Sequence, residues 1–178
     1  PLLIHEAQAG QPQALAAQYL MIKRSLDKQI ANGMHFAVVC SEDAPRWSAS
    51  NVSEAALAGT YIGETFMTAM RTVCEQWPHG PVDAEFSKPL SSSIPTLLLS
   101  GGNDPVTPAR YGERVHHGLS RSRHLVLAGQ GHGQLGVGCV PRLVADFIVS
   151  GEVDSVDDAC IKTVAPAPFL LSRSAPAP

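Results

Sequence analysis

No apolar run in this sequence approaches the ~20 residues that a membrane-spanning helix needs. Charge is sparse at 16% and the formal net charge is −3, so no basic surface points to nucleic acid or an anionic membrane. No Cys-x-x-Cys pair occurs among the four cysteines, which argues against a zinc site and leaves no metal expected. The segment Pro1–Glu6 lacks the charged start and apolar core of a secretory signal. A chain that begins with Pro rather than Met reads as a fragment or a processed product. At 178 residues it is long enough for one domain.

The cysteines are Cys40, Cys74, Cys139 and Cys160, which allow three pairings. Cys40 with Cys74 and Cys139 with Cys160 is the chosen arrangement, because each pair brackets a single helical hairpin or loop. Two disulfides would imply an oxidising compartment, and four free buried thiols are the alternative.

Hydrophobic spacing predicts the elements. Leu15, Tyr19, Ile22, Leu26 and Ile30 recur every three or four residues, which predicts a helix from Pro12 to Ile30 ended by Asn32-Gly33. The run His35–Cys40 is apolar without helical period and reads as a buried strand. A helical stretch from about Ser53 to Trp77 follows, with a break plausible at Gly59 and Gly63. Then come a strand from Thr96 to Ser100, a helix from about Pro108 to Leu119, a strand from His124 to Leu127 and a helix from Pro141 that stops before Gly151. Residues 162–178 read as a Pro/Ala-rich tail. Strands separated by helices mean parallel pairing with right-handed crossovers, hence an α/β fold with three parallel strands and flanking helices. Three such strands leave an edge where further strands should sit.

Chemistry concentrates at two strand ends. Asp104 lies four residues past Ser100, and His132 lies five past Leu127. Parallel strands end at one rim of the sheet, and neighbours are about 4.8 Å apart, so the two side chains can meet there. Histidine takes a proton near neutrality, and a buried carboxylate fixes its tautomer. The pair reads as the acid and base of a hydrolytic triad, in that chain order. Taken singly, Asp104 is an ordinary turn or helix-capping residue and His132 an ordinary loop histidine. The nucleophile is missing: no Gly-x-Ser-x-Gly elbow occurs anywhere in the sequence. His5, His35, His79, His116 and His124 show no ligand spacing, Trp47 and Trp77 read as packing residues, and Arg110, Arg114, Arg121 and Arg123 as surface charges.

Gly-Gly-Asn-Asp-Pro-Val-Thr-Pro at 101–108 and Gly-Gln-Gly-His-Gly at 129–133 resemble the C-terminal, TAP-like module of α/β-hydrolase-fold serine peptidases of the proline iminopeptidase and tripeptidyl aminopeptidase group. Phe36–Asp43, Cys74-x-x-Trp77-Pro78 and the late cysteines fit the same pattern, and the likeness covers about residues 1 to 161. The resemblance implies the C-terminal portion of an α/β-hydrolase fold. Residues 1–33 would be the end of a helical cap, and 34–161 the C-terminal part of the core. It also implies Asp104 as triad acid, His132 as triad base, a secreted or periplasmic location, and cleavage of short N-terminal peptides or related amides and esters without a cofactor. The partner implied is a missing N-terminal half that carries the serine, and without it the chain is expected to be inactive. Glu42 and Asp43 follow a predicted strand end on the same rim, where an acidic pair would bind the free amine of a peptide; equally, Ser41–Asp43 would cap the next helix. Two other readings stay open: a non-catalytic binding or lid module, and an ester hydrolase on the same scaffold.

Overall fold

The computed structural model describes residues 1–47, 54–172 and 174. The chain divides into two compact units, Pro1–Ser87 and Lys88–Pro178.

The first unit is helical. It holds α1 (Leu2–Gln8), α2 (Gln13–Gln29), α3 (Asn32–Val38), a π-helical turn at Val39–Asp43, a 3₁₀ turn at Ala44–Arg46, α4 (Glu54–Ala58) and α5 (Thr65–Gln76). The spacing-based helix over 12–30 is present as α2, and its apolar stripe from Leu15 to Ile30 stays exposed. The stretch expected from about Ser53 to Trp77 is two helices, parted at Gly59–Glu64; Ser53 itself lies outside the described residues.

The strand expected at His35–Cys40 does not form, and that is the main correction to the three-strand reading. A parallel strand needs a neighbour to satisfy its N–H and C=O groups, whereas a helix satisfies its own. No strand exists among the described residues of this unit. Phe36, Val39 and Cys40 are also spaced i, i+3, i+4, and as a helical face they pack on α5. Phe36 lies 5.1 Å from the Trp77 ring, centroid to centroid. Cys40 is bonded to Cys74, and these two with Met70 form the buried centre of the unit. Both tryptophans pack against that centre.

The second unit is α/β. It runs β1 (Thr96–Gly101), α6 (Ala109–His116), β2 (Ser122–Leu127) and α7 (Val140–Ser150), followed by 3₁₀ turns at Val153–Ser155 and Ala159–Thr163. The two strands are parallel, from Thr96 opposite Ser122 to Gly101 opposite Leu127. The sheet therefore has two strands among the described residues, not three. Leu125, Leu143 and Val156 form its core, with Leu97, Leu99, Phe147 and Ile161 packed around them. Gly151, at φ 67°, ends α7 in the left-handed conformation that glycine adopts without penalty, and its N–H bonds the Phe147 carbonyl. Cys139, which precedes α7, is bonded to Cys160. Arg123 is not a free surface charge: it pairs with Asp158 at 2.8 Å and donates to the Val156 carbonyl, tying β2 to the chain beyond α7.

Both disulfides follow the pairing chosen from the sequence, and they belong to an oxidising compartment. No helix among the described residues is long and apolar enough to cross a membrane.

Candidate active site

β1 and β2 end at the same rim, at Gly101 and Leu127, and the loops beyond them are fastened together by backbone bonds. Gly102 N–H donates to the Leu127 carbonyl and Asn103 N–H to the Gln130 carbonyl, both at 2.9 Å. Glycine at 101 permits this approach. A Cβ there would collide with the Gly131 carbonyl oxygen and lie 2.6 Å from that of Gln130, and backbone atoms do not move aside cheaply. Gln134, itself buried, donates from its side chain to the Gly131 carbonyl and braces the second loop.

The loops bring Asp104 and His132 into contact. His132 Nδ1 is 2.9 Å from Asp104 Oδ2. The carboxylate side chain is 4% exposed and the imidazole 57% exposed. Asp104 Oδ1 accepts from the amides of Val106 at 2.8 Å and Thr107 at 3.0 Å. The turn role and the histidine contact foreseen as alternatives for Asp104 thus coexist, one oxygen serving each.

Thr107 is the residue that sequence reasoning missed. Its hydroxyl donates to Asp104 Oδ2 at 2.8 Å, and the same oxygen lies 3.2 Å from His132 Nδ1. An ionised carboxylate only accepts, so the imidazole proton sits on Nδ1 and is shared between Asp104 and Thr107. His132 Nε2 has no hydrogen-bond partner among the described residues and is left to accept a proton. The available signal was the spacing Asp104-Pro105-Val106-Thr107: Pro105 prearranges a turn that returns the third residue to the carboxylate.

Burial pushes the Asp104 carboxyl up. The Thr107 amide, the His132 ring, the Thr107 hydroxyl and the Val106 amide together outweigh that and hold it well below the usual carboxylate range. A group depressed in the folded state contributes stability above its unfolded pKa, and the contribution is lost as pH falls through the folded value. Asp104→Asn is therefore expected to lower stability at neutral pH and to shrink the further loss between neutrality and about pH 2. Urea denaturation of both proteins across that range checks it; parallel curves would count against the linkage.

An acid that orients a base whose ring is more than half exposed is an arrangement able to take a proton from a hydroxyl group. A family model described as TAP-like protein matches residues 59–160, more than half of the chain, and the match includes both Asp104 and His132. The chain belongs to this α/β-hydrolase family. No curated protein and no solved structure matches it. Hydrolase-type chemistry and the mixed α/β architecture follow from membership in the TAP-like family.

Of the remaining sequence candidates, Glu42 and Asp43 lie on the π-helical turn of the first unit. The strand that was to carry them to the rim is absent, and Asp43 is 3.3 Å from Arg46, a local pair one turn away. Among the described residues of this TAP-like chain, no group of three His, Cys, Asp or Glu side chains is placed to hold a metal ion.

Proposed function

We propose that this chain supplies the acid and the base of a serine hydrolase that releases short peptides or single residues from free N-termini. The supporting observation is the Asp104–His132 bond: a buried, depressed carboxylate on one imidazole nitrogen and an unencumbered second nitrogen. Family membership supports the hydrolase class. The aminopeptidase reading adds the resemblance of 101–108 and 129–133 to exopeptidase motifs. The nucleophile comes from a serine-bearing segment outside this sequence, since no Gly-x-Ser-x-Gly stands within it.

In this mechanism His132 Nε2 takes the proton of the attacking serine while Asp104 and Thr107 hold the ring by Nδ1. The serine oxygen bonds the substrate carbonyl carbon, and the imidazolium then gives its proton to the departing amine. Water, deprotonated by the same nitrogen, releases the acyl group and restores the serine.

Reading the gene upstream and assaying the product is the test. An in-frame Gly-x-Ser-x-Gly is expected. The complete protein should then cleave aminoacyl or peptidyl anilides with a free amine far faster than N-blocked ones, while the 178-residue chain alone is inert. Equal rates on blocked substrates and simple esters would replace the peptidase with an esterase. A serine-free open reading frame would leave a non-catalytic module.

A further inference from the structure

One imidazole joins both ends of the loop that presents Asp104. His124 stands on β2 opposite Leu98 of β1, and its side chain is 4% exposed. Its Nε2 lies 2.9 Å from Oγ of Ser100, where the chain is about to leave β1. Its Nδ1 lies 3.1 Å from Oε2 of Glu113, on α6, where the chain has arrived after the loop. The segment that carries Asp104 and Thr107 is therefore closed at its base by a single side chain from the neighbouring strand.

The closure depends on how low α6 sits. A Cβ at Gly112 would be 2.6 Å from His124 Nε2 and 2.8 Å from Ser100 Oγ, so no other residue lets the helix reach this position unchanged. Glu113 is half exposed, and its carboxyl is held below the usual range. The His124 hydrogen bond is the main cause, opposed by burial and aided by the nearby His117 and His116. His116 packs beside His124, 6.3 Å between ring centroids, with its own Nδ1 2.6 Å from Ser122 Oγ. His117 faces Glu113 Oε1 from the solvent side at 3.7 Å. The carboxylate directs the His124 proton to Nδ1, which leaves Nε2 to accept from the Ser100 hydroxyl. Each link is directional, and losing one leaves a buried polar atom without its partner.

Ser, His and Glu in this order are the residue types of a relay, but Ser100 is buried on β1 under α6. We propose that Glu113, His124 and Ser100 are positioning residues: they staple the two ends of the acid loop and thereby hold Asp104 and Thr107 against His132. The proposal rests on the reading of Asp104 and His132 as an acid–base pair. It explains why the acid loop needs no further brace on its helical side: Thr107 sits two residues before α6, so any slide of that helix along β2 moves the Thr107 hydroxyl away from both its partners.

The test reads the His132 ring directly, in the 178-residue chain labelled with ¹⁵N-histidine. Imidazole ¹⁵N shifts report which nitrogen carries the proton. In the parent, His132 is expected to hold it on Nδ1. In Ser100→Ala and in Glu113→Gln, the population is expected to shift toward the Nε2–H form that free imidazole prefers, with far-UV CD and both disulfides intact. His117→Gln, on the exposed side of Glu113, is expected to behave as the parent. An unchanged His132 ring in both staple variants overturns the proposal, as does an equal shift in the His117 control. A parent chain with the His132 proton already on Nε2 overturns the acid–base reading itself, and is thus told apart from failure of the staple alone.

Discussion

Replacing His132 with Ala in the proposed serine-bearing enzyme is expected to lower kcat/KM by about 10⁴-fold or more, nearly all of it in kcat. The reason is the free nitrogen. Without Nε2 the proposed proton acceptor is gone, and the hydroxyl remains the weak nucleophile it is in water. Residual rate would come from binding and orienting the substrate. Asp104→Asn is expected to cost a similar factor by another route, since an amide at that position favours the wrong tautomer of the ring. The two losses are not additive, because either one disables the same proton transfer. Folding offers the control. The His132 ring is 57% exposed and contributes no core contact, so thermal unfolding of His132→Ala should stay cooperative and fall only by the loss of its bond to Asp104. Turnover near normal would remove His132 from the mechanism. Lost turnover together with a collapsed melting transition would make its role structural.

Much of the second unit was legible because its signals are short-range and agree with one another. Leu143, Val144 and Phe147 repeat at helical spacing, Gly151 ends that helix, and two apolar runs are each closed by glycines. The meeting of Asp104 with His132 was legible because parallel strands end at one rim, which is topology rather than detail. Helix α1 was not foreseen, and the first unit misled at His35–Cys40. Six apolar-rich residues satisfy a strand and a helical face alike, and the choice turns on whether a neighbouring strand exists, which no local pattern encodes. Thr107 and the Ser100–His124–Glu113 staple escaped for a related reason. Apart from the short reach of Thr107 to Asp104, their meaning lies in contacts across 11 to 25 residues of chain, and Thr, Ser and Glu at those positions look like side chains facing water until the strands and α6 are in place. Arg123 is the same case: its partners, Asp158 and the Val156 carbonyl, arrive only when the chain beyond α7 folds back on β2.

Removing the Cys40–Cys74 bond is expected to do more to stability than any other double substitution in the first unit. The bond spans a sequence separation of 34, for which chain entropy alone predicts about 4 kcal/mol; the separation of 21 from Cys139 to Cys160 predicts about 3 kcal/mol. Context widens the difference. Around the first bond the buried centre consists of the two cysteines and Met70, so a Cys40→Ala/Cys74→Ala variant loses its cross-link and most of its core together. Around the second, Leu125, Leu143 and Val156 are buried without help from either sulfur, and the two paired strands remain. Against a whole-domain stability of about 5–15 kcal/mol, the first loss is enough to unfold a helical unit whose longest helix leaves its apolar stripe exposed. The protein carries its own reporter for this. Its only two tryptophans, Trp47 and Trp77, both lie in the first unit and pack on that cystine. Urea titration followed by tryptophan fluorescence should show the transition abolished or moved to low urea in Cys40→Ala/Cys74→Ala and little changed in Cys139→Ala/Cys160→Ala. Superimposable fluorescence transitions in the two variants would mean that the helices of residues 1–87 are held by contacts other than the cystine and its neighbours.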